Sequence, residues 1–98
     1  MTKLDPARLQ SELRSLPGWM AEGSRMRRVY TFESFRKAIE FINEVANEAD
    51  SMDHHPDIFN SYDRVEIGLT SHDEGGITER DVELARRIER VARVFGAE

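Results

Sequence analysis

No cysteine occurs among the 98 residues, which excludes disulfides, thiolate metal centres and thiol nucleophiles. That fits a reducing compartment. Nor is there an apolar run long enough to span a bilayer, and the residues after Met1 (Thr2, Lys3, Leu4, Asp5, Pro6) hold no apolar stretch of signal-peptide length. The expectation is a soluble, cytoplasmic protein with no membrane partner. Positive charge is in deficit: 14 basic residues face 19 acidic ones, for a net charge of −5. The overall field therefore repels phosphate backbones, and nucleic acid is not an expected partner. Internal repeats, linkers and low-complexity segments are also missing, so residues 1–98 read as a single domain. A chain this short buries only about 60 to 65% of its unfolded surface, so self-association would help its modest core.

What the chain does have is a concentration of imidazole. All three histidines fall between positions 54 and 72, as the adjacent pair His54 and His55 followed at once by Pro56, and then His72. Histidine exchanges protons near neutral pH without tuning, so the cluster points to proton transfer. Adjacent residues in an extended chain point to opposite sides, so both members of the pair can face one ligand only if the backbone turns there. Pro56 suits that requirement, because it biases His55 away from helical geometry and fixes its own φ. On that reading a helix ends near Asp53. The plainer alternative is a helix-to-strand loop with solvated histidines. Zinc is the rival use of three imidazoles, but adjacent histidines converge poorly on one ion, and no metal is expected.

The periodicities describe an α+β domain. Asp5 and Pro6 cap and start a first helix bearing Leu9, Leu13 and Leu16, which Pro17 and Gly18 stop. Trp19 to Glu22 and Arg25 to Thr31 read as strands around a Gly23–Ser24 turn, with Arg25, Arg27 and Arg28 expected on a solvated sheet edge. From Ser34 a second helix presents Phe35, Ala38, Ile39, Ile42, Val45, Ala46 and Ala49 on one face. Ile58 to Ser61 is a short strand, Tyr62 to Arg64 its turn, and Val65, Ile67 and Leu69 alternate as in a half-buried strand. Gly75 and Gly76 interrupt. Thr78 and Asp81 form a capping-box start for a last helix with Val82, Ala85, Ile88, Ala92 and Phe95 inward, Glu83–Arg87 and Glu89–Arg93 pairs outward, and Gly96 at its end. The order α-β-β-α-β-β-α predicts one four-stranded antiparallel sheet with the helices packed on one face.

From Asp50 through His54, His55, Pro56, Tyr62 and His72 to Asp81, the chain resembles the signature of the pterin-4a-carbinolamine dehydratase family. In that signature an acidic or basic residue precedes a histidine by four positions. A His or Asn and a Pro follow directly, then an aromatic, then a His or Trp, and an Asp closes it. Every position matches, although many members carry the longer Glu at the place of Asp50. Leu16, Pro17, Gly18 and Trp19, and Ser71 entering a glycine-containing loop, are similar as well. The resemblance implies an enzyme, a hydro-lyase that removes water from 4a-hydroxytetrahydrobiopterin to yield quinonoid dihydropterin. It further implies tetrahydrobiopterin recycling beside an aromatic amino acid hydroxylase, and no cofactor.

By that resemblance His54, His55 and His72 are the catalytic residues. The chemistry suggests His54 and His72 as donors to the leaving hydroxyl, with His55 positioning the pterin and shuttling the N5 proton. Asp50 and Asp53 lie at a helix end where carboxylates oppose the dipole; Asp50 either orients an imidazole or is a solvated acid. Asp81 is a helix cap or a catalytic group, Tyr62 a pocket wall or a turn residue, and Trp19 a pocket aromatic or core. One member of the family docks on a transcription factor, and relatives with altered sites have assembly roles, so a non-enzymatic binding module is the alternative. Leu84, Val91 and Val94 lie off the last helix's main stripe and predict homo-oligomerisation, as a dimer or tetramer, through that helix.

Overall fold

The structure, a computed structural model, describes residues 2–98. Helix α1 (Pro6–Arg14) begins where Asp5 accepts a hydrogen bond from Arg8 N, with Pro6 in the first turn, where its missing N–H costs nothing. Strands β1 (Met20–Glu22) and β2 (Arg25–Thr31) form the first hairpin, and α2 (Phe35–Met52) starts at a Ser34 cap. Strands β3 (Asp57–Ser61) and β4 (Arg64–Leu69) form the second hairpin, and α3 (Glu79–Val94) closes the fold. All pairings are antiparallel, in the order β1-β2-β4-β3. The expected α+β architecture is present.

Register explains which face is buried. Met26 stands opposite Leu69, and Tyr30 opposite Val65, so alternate residues of the two central strands turn toward the helices and all four are at most 1% exposed. From the helices, Phe41, Val45, Leu84 and Ile88 meet them with no exposure. The tilted rings of Tyr30, Phe32 and Phe41 fill one end, with Phe41 centred 5.2 Å from Tyr30 and 4.7 Å from Phe32.

Several expectations need correcting. The arginines of β2 are not on a sheet edge, because β2 lies between β1 and β4. Arg27 instead binds Glu66 of β4 at 2.9 Å, and Arg28 turns to the helix side. In α2 the inward ring is Phe41, while Phe35 is half exposed against Tyr62 and Ala46 faces solvent. The buried stripe of that helix is narrower than apolar spacing alone suggested. In α3, Leu84 is fully buried and Val91 packs partly against the core, leaving Val94 exposed. Of the three apolar residues expected to lie open on that helix, Val94 alone is fully exposed.

Glu89 also points inward rather than pairing with Arg93. Its Oε1 accepts from Trp19 Nε1 (3.0 Å), Arg28 Nε (3.2 Å) and the Tyr30 hydroxyl (2.5 Å), tying the segment before β1 and strand β2 to α3. Burial, and then the Glu89 carboxylate beside it, push the Tyr30 phenol far above its ordinary range, so it stays a donor. Arg28 also lies 4.4 Å above the Tyr30 ring. Substituting Glu89→Leu leaves three donors without their acceptor and is expected to lower unfolding free energy by about 2 to 4 kcal/mol in urea titration. Breaking the exposed Glu83–Arg87 pair with Glu83→Ala should cost less than about 0.5 kcal/mol.

Candidate active site

The histidine pair is set by how α2 ends. Asp53 adopts the left-handed conformation (φ 50°, ψ 43°), its N–H bonds to Asp50 O, and the next N–H, of His54, reaches back to Ala49 O at 3.1 Å. This is a Schellman ending, made here with Asp, one of the few residues besides Gly that tolerate positive φ. The bend expected from Pro56 is therefore made earlier, by Asp53, and Pro56 leads directly into β3. Beyond the bend the pair diverges, with His54 directed into the protein at 6% exposed and His55 facing out.

His54 meets Asp81. Its Nε2 lies 2.6 Å from Asp81 Oδ1, and that carboxylate has no exposure at all. The other carboxylate oxygen, Oδ2, accepts from Thr78 N at 2.8 Å and from Ser71 Oγ at 2.9 Å, while the Ser71 and Thr78 hydroxyls stand 2.8 Å apart. The capping box anticipated at Thr78 is present, so Asp81 is both a helix cap and a partner of a site histidine. A buried carboxylate is tolerable only when its lone pairs are met, and three donors meet them here.

On its other side, His54 Nδ1 lies 3.3 Å from Arg80 NH2. A guanidinium can only donate, so Nδ1 accepts, the ring proton sits on Nε2, and Nε2–H donates to Asp81. Both nitrogens of His54 are thus occupied by protein groups. His55 has a different partner: its Nε2 is 2.9 Å from Asp50 Oδ1, with both side chains largely open to solvent. Asp50 thus contacts an imidazole from the end of α2.

His72 opens a short 3-10 turn, His72–Glu74, and is exposed. Its position is set by Ser71, which exchanges backbone hydrogen bonds with Gly76 (3.0 and 3.2 Å) while its hydroxyl is held by Asp81. Gly75 closes that turn at φ 76°, a conformation that favours glycine. Asp81 therefore grips the residue before His72 and the residue before His55. The two open imidazoles and the buried one are brought to a single corner of the fold.

Two residues expected nearby are elsewhere. Trp19 is core, 5% exposed, and its indole binds Glu89, about 12 Å of helix beyond Asp81. Tyr62, in the β3–β4 turn with φ 54°, is separated from Pro56 by the length of β3, about 20 Å, and stacks on Phe35 instead. Arg80 was not anticipated at all. Its place in the first turn of α3 gives no local sign that its side chain reaches a histidine on another element.

Known proteins share this chain's sequence and fold. A family profile described as pterin 4 alpha carbinolamine dehydratase matches residues 2–91. A Thermomicrobium roseum protein provisionally named pterin-4-alpha-carbinolamine dehydratase is 47% identical over 92 residues, covering 94% of this chain and 99% of that protein. A Sulfurisphaera tokodaii protein with the same provisional name is 43% identical over 89 residues, covering 91% of this chain and 96% of its own. The crystal structure of a transcriptional coactivator/pterin dehydratase from Brucella melitensis aligns with a TM-score of 0.90 at 34% identity, over 93% of this chain and 99% of that one. A pterin dehydratase-like protein identified as a RuBisCO assembly factor in the alpha-carboxysome aligns at 0.64 with 19% identity, over 76% and 86% of the two chains, a likeness of fold alone.

If Asp81 organises this corner, Asp81→Ala should lower unfolding free energy by about 2 to 4 kcal/mol, more than the roughly 1 kcal/mol of a lost helix cap. Chemical denaturation measures it, and a loss confined to the cap value would show that the His54 and Ser71 bonds contribute nothing.

Proposed function

The chain belongs to the pterin 4 alpha carbinolamine dehydratase family, and from that membership we propose that it dehydrates 4a-hydroxytetrahydrobiopterin to quinonoid dihydropterin by histidine acid/base catalysis. The observation that carries this reading is the convergence of His54, which precedes His55, and Ser71, which precedes His72, on the buried carboxylate of Asp81. The reaction needs a proton delivered to the C4a hydroxyl as it leaves as water, and a proton removed from N5. No electrons change hands.

The geometry supports a division of labour unlike the one expected from sequence. His54 has no free ring nitrogen, so it serves by holding the corner rather than by giving up a proton. His72 and His55 are open to solvent and are the groups assigned to the two transfers, with Asp50 and Asp53 supporting from the end of α2. Each well-placed acid or base supplies about 10² to 10⁴ in rate. Tetrahydrobiopterin recycling beside an aromatic amino acid hydroxylase, in the cytoplasm, is the setting this chemistry suits. A purely assembling role, like that of the carboxysome protein of similar fold, has less support, because a scaffold has no use for two open imidazoles beside a buried His54–Asp81 bond.

Self-association belongs to the same proposal, on a different surface from the last helix. Strand β3 is a sheet edge, and Ile58 and Phe59 on it are 39% and 65% exposed. An open apolar edge pairs readily with a second copy. Sedimentation analysis should find an oligomer that Phe59→Lys shifts toward monomer; an unchanged oligomer would place the interface elsewhere.

Stopped-flow measurement of carbinolamine decay tests the activity. The protein should accelerate decay over buffer, and His55→Ala or His72→Ala should each lower kcat by about 100-fold. Decay at the buffer rate in the presence of the unsubstituted protein would contradict the reading.

A further inference from the structure

We infer that Arg80 is the positioning residue of this site, setting the tautomer of His54 and anchoring the turn that carries His72. The inference rests on the dehydratase reading for its kinetic consequence, though not for its structural one. Arg80 is the second residue of α3, where a cation opposes the positive end of the helix dipole. Nothing about helix stability asks for it there. Its side chain instead turns toward two other elements: NH2 lies 3.3 Å from His54 Nδ1, after α2, and 3.7 Å from Asp73 Oδ1, in the turn that begins at His72. Its own backbone N–H is held by Thr78 Oγ1 at 3.2 Å, so the base of the side chain is fixed to the same capping network that holds Asp81.

The consequence for His54 follows from donor and acceptor counting. Asp81 can hold either ring nitrogen that carries a proton, so by itself it does not decide which way round the imidazole sits. A guanidinium on the far side admits one answer only, a lone pair at Nδ1 and a proton at Nε2. Remove Arg80 and the ring is free to flip, or to present an N–H to solvent at Nδ1. The same loss releases Asp73, and with it a side-chain tie between the His72 turn and the first turn of α3. Because Arg80 is partly exposed (37% of its side chain), replacing it leaves the buried carboxylate network in place.

The test is nitrogen-15 spectroscopy of the histidine rings in the full chain, paired with stopped-flow kinetics, for the wild type, Arg80→Met and Arg80→Lys. The wild type should show His54 with Nε2 protonated and Nδ1 as acceptor. In Arg80→Met the Nδ1 signal should move to that of an unbonded nitrogen or split between tautomers, and kcat should fall about tenfold, the equivalent of one charge-assisted hydrogen bond, while KM changes by less than about twofold. Arg80→Lys, which keeps a donor, should recover the ring signal. Should Arg80→Met not fold, Arg80→Leu, which likewise has no donor, carries the same comparison. A His54 spectrum identical in wild type and Arg80→Met overturns the inference, as does a loss that falls wholly on KM. If the wild type fails to dehydrate the carbinolamine, the functional reading falls and the ring spectra alone decide the role of Arg80.

Discussion

One buried carboxylate organises the histidine-bearing corner of this protein. Asp81 is wholly enclosed, and an enclosed charge without partners would cost several kcal/mol. Its partners come from three places: His54 beyond α2, Ser71 beyond β4, and the Thr78 backbone at the start of α3. Satisfying that charge therefore requires three separate loops to meet. The residues that follow two of those partners in sequence, His55 and His72, are carried along with them and left facing outward. The demand of one carboxylate for donors thus becomes a geometric constraint on two solvent-facing imidazoles.

A second acid on the same helix serves a different end. Glu89 gathers Trp19, Arg28 and Tyr30, and so fastens the chain before β1 and the sheet to the middle of α3. With α3 fixed against the sheet by Glu89, and by Leu84 and Ile88 in the core, its first turn is a rigid platform. Asp81 and Arg80 stand on that platform and hold the His54 ring between them. Rigid elements hold reacting groups more tightly than loops do, and here the loops bearing His55 and His72 borrow their order from the helix.

Much of the fold was legible in the residues alone. Alternation at Val65, Ile67 and Leu69, the caps at Asp5, Ser34 and Thr78, and the glycine breaks each reflect a local rule that the tertiary structure obeys. The misses share a cause, which is that they depend on contacts far apart in sequence. Whether Arg27 and Arg28 lie on an edge depends on which strands pair, and Glu89 reads as a surface acid until Trp19, Arg28 and Tyr30 arrive around it. Phe35 and Phe41 both fit a helical stripe, and only the direction of packing selects Phe41. The histidines themselves were found by composition and spacing. Their surroundings were not, since the burial of His54 and the contact with Arg80 are properties of the assembled corner.

The decisive contact is the one a pterin would make with these groups. A crystal structure with 7,8-dihydrobiopterin bound is the direct measurement. It should place the C4a and N5 edge of the ring within hydrogen-bond reach of His72 and His55, with His54 still bonded to Asp81. A pterin bound away from His55 and His72, or a His54 turned off Asp81 to contact it, would contradict the claim that the buried carboxylate holds one imidazole so that the other two can act.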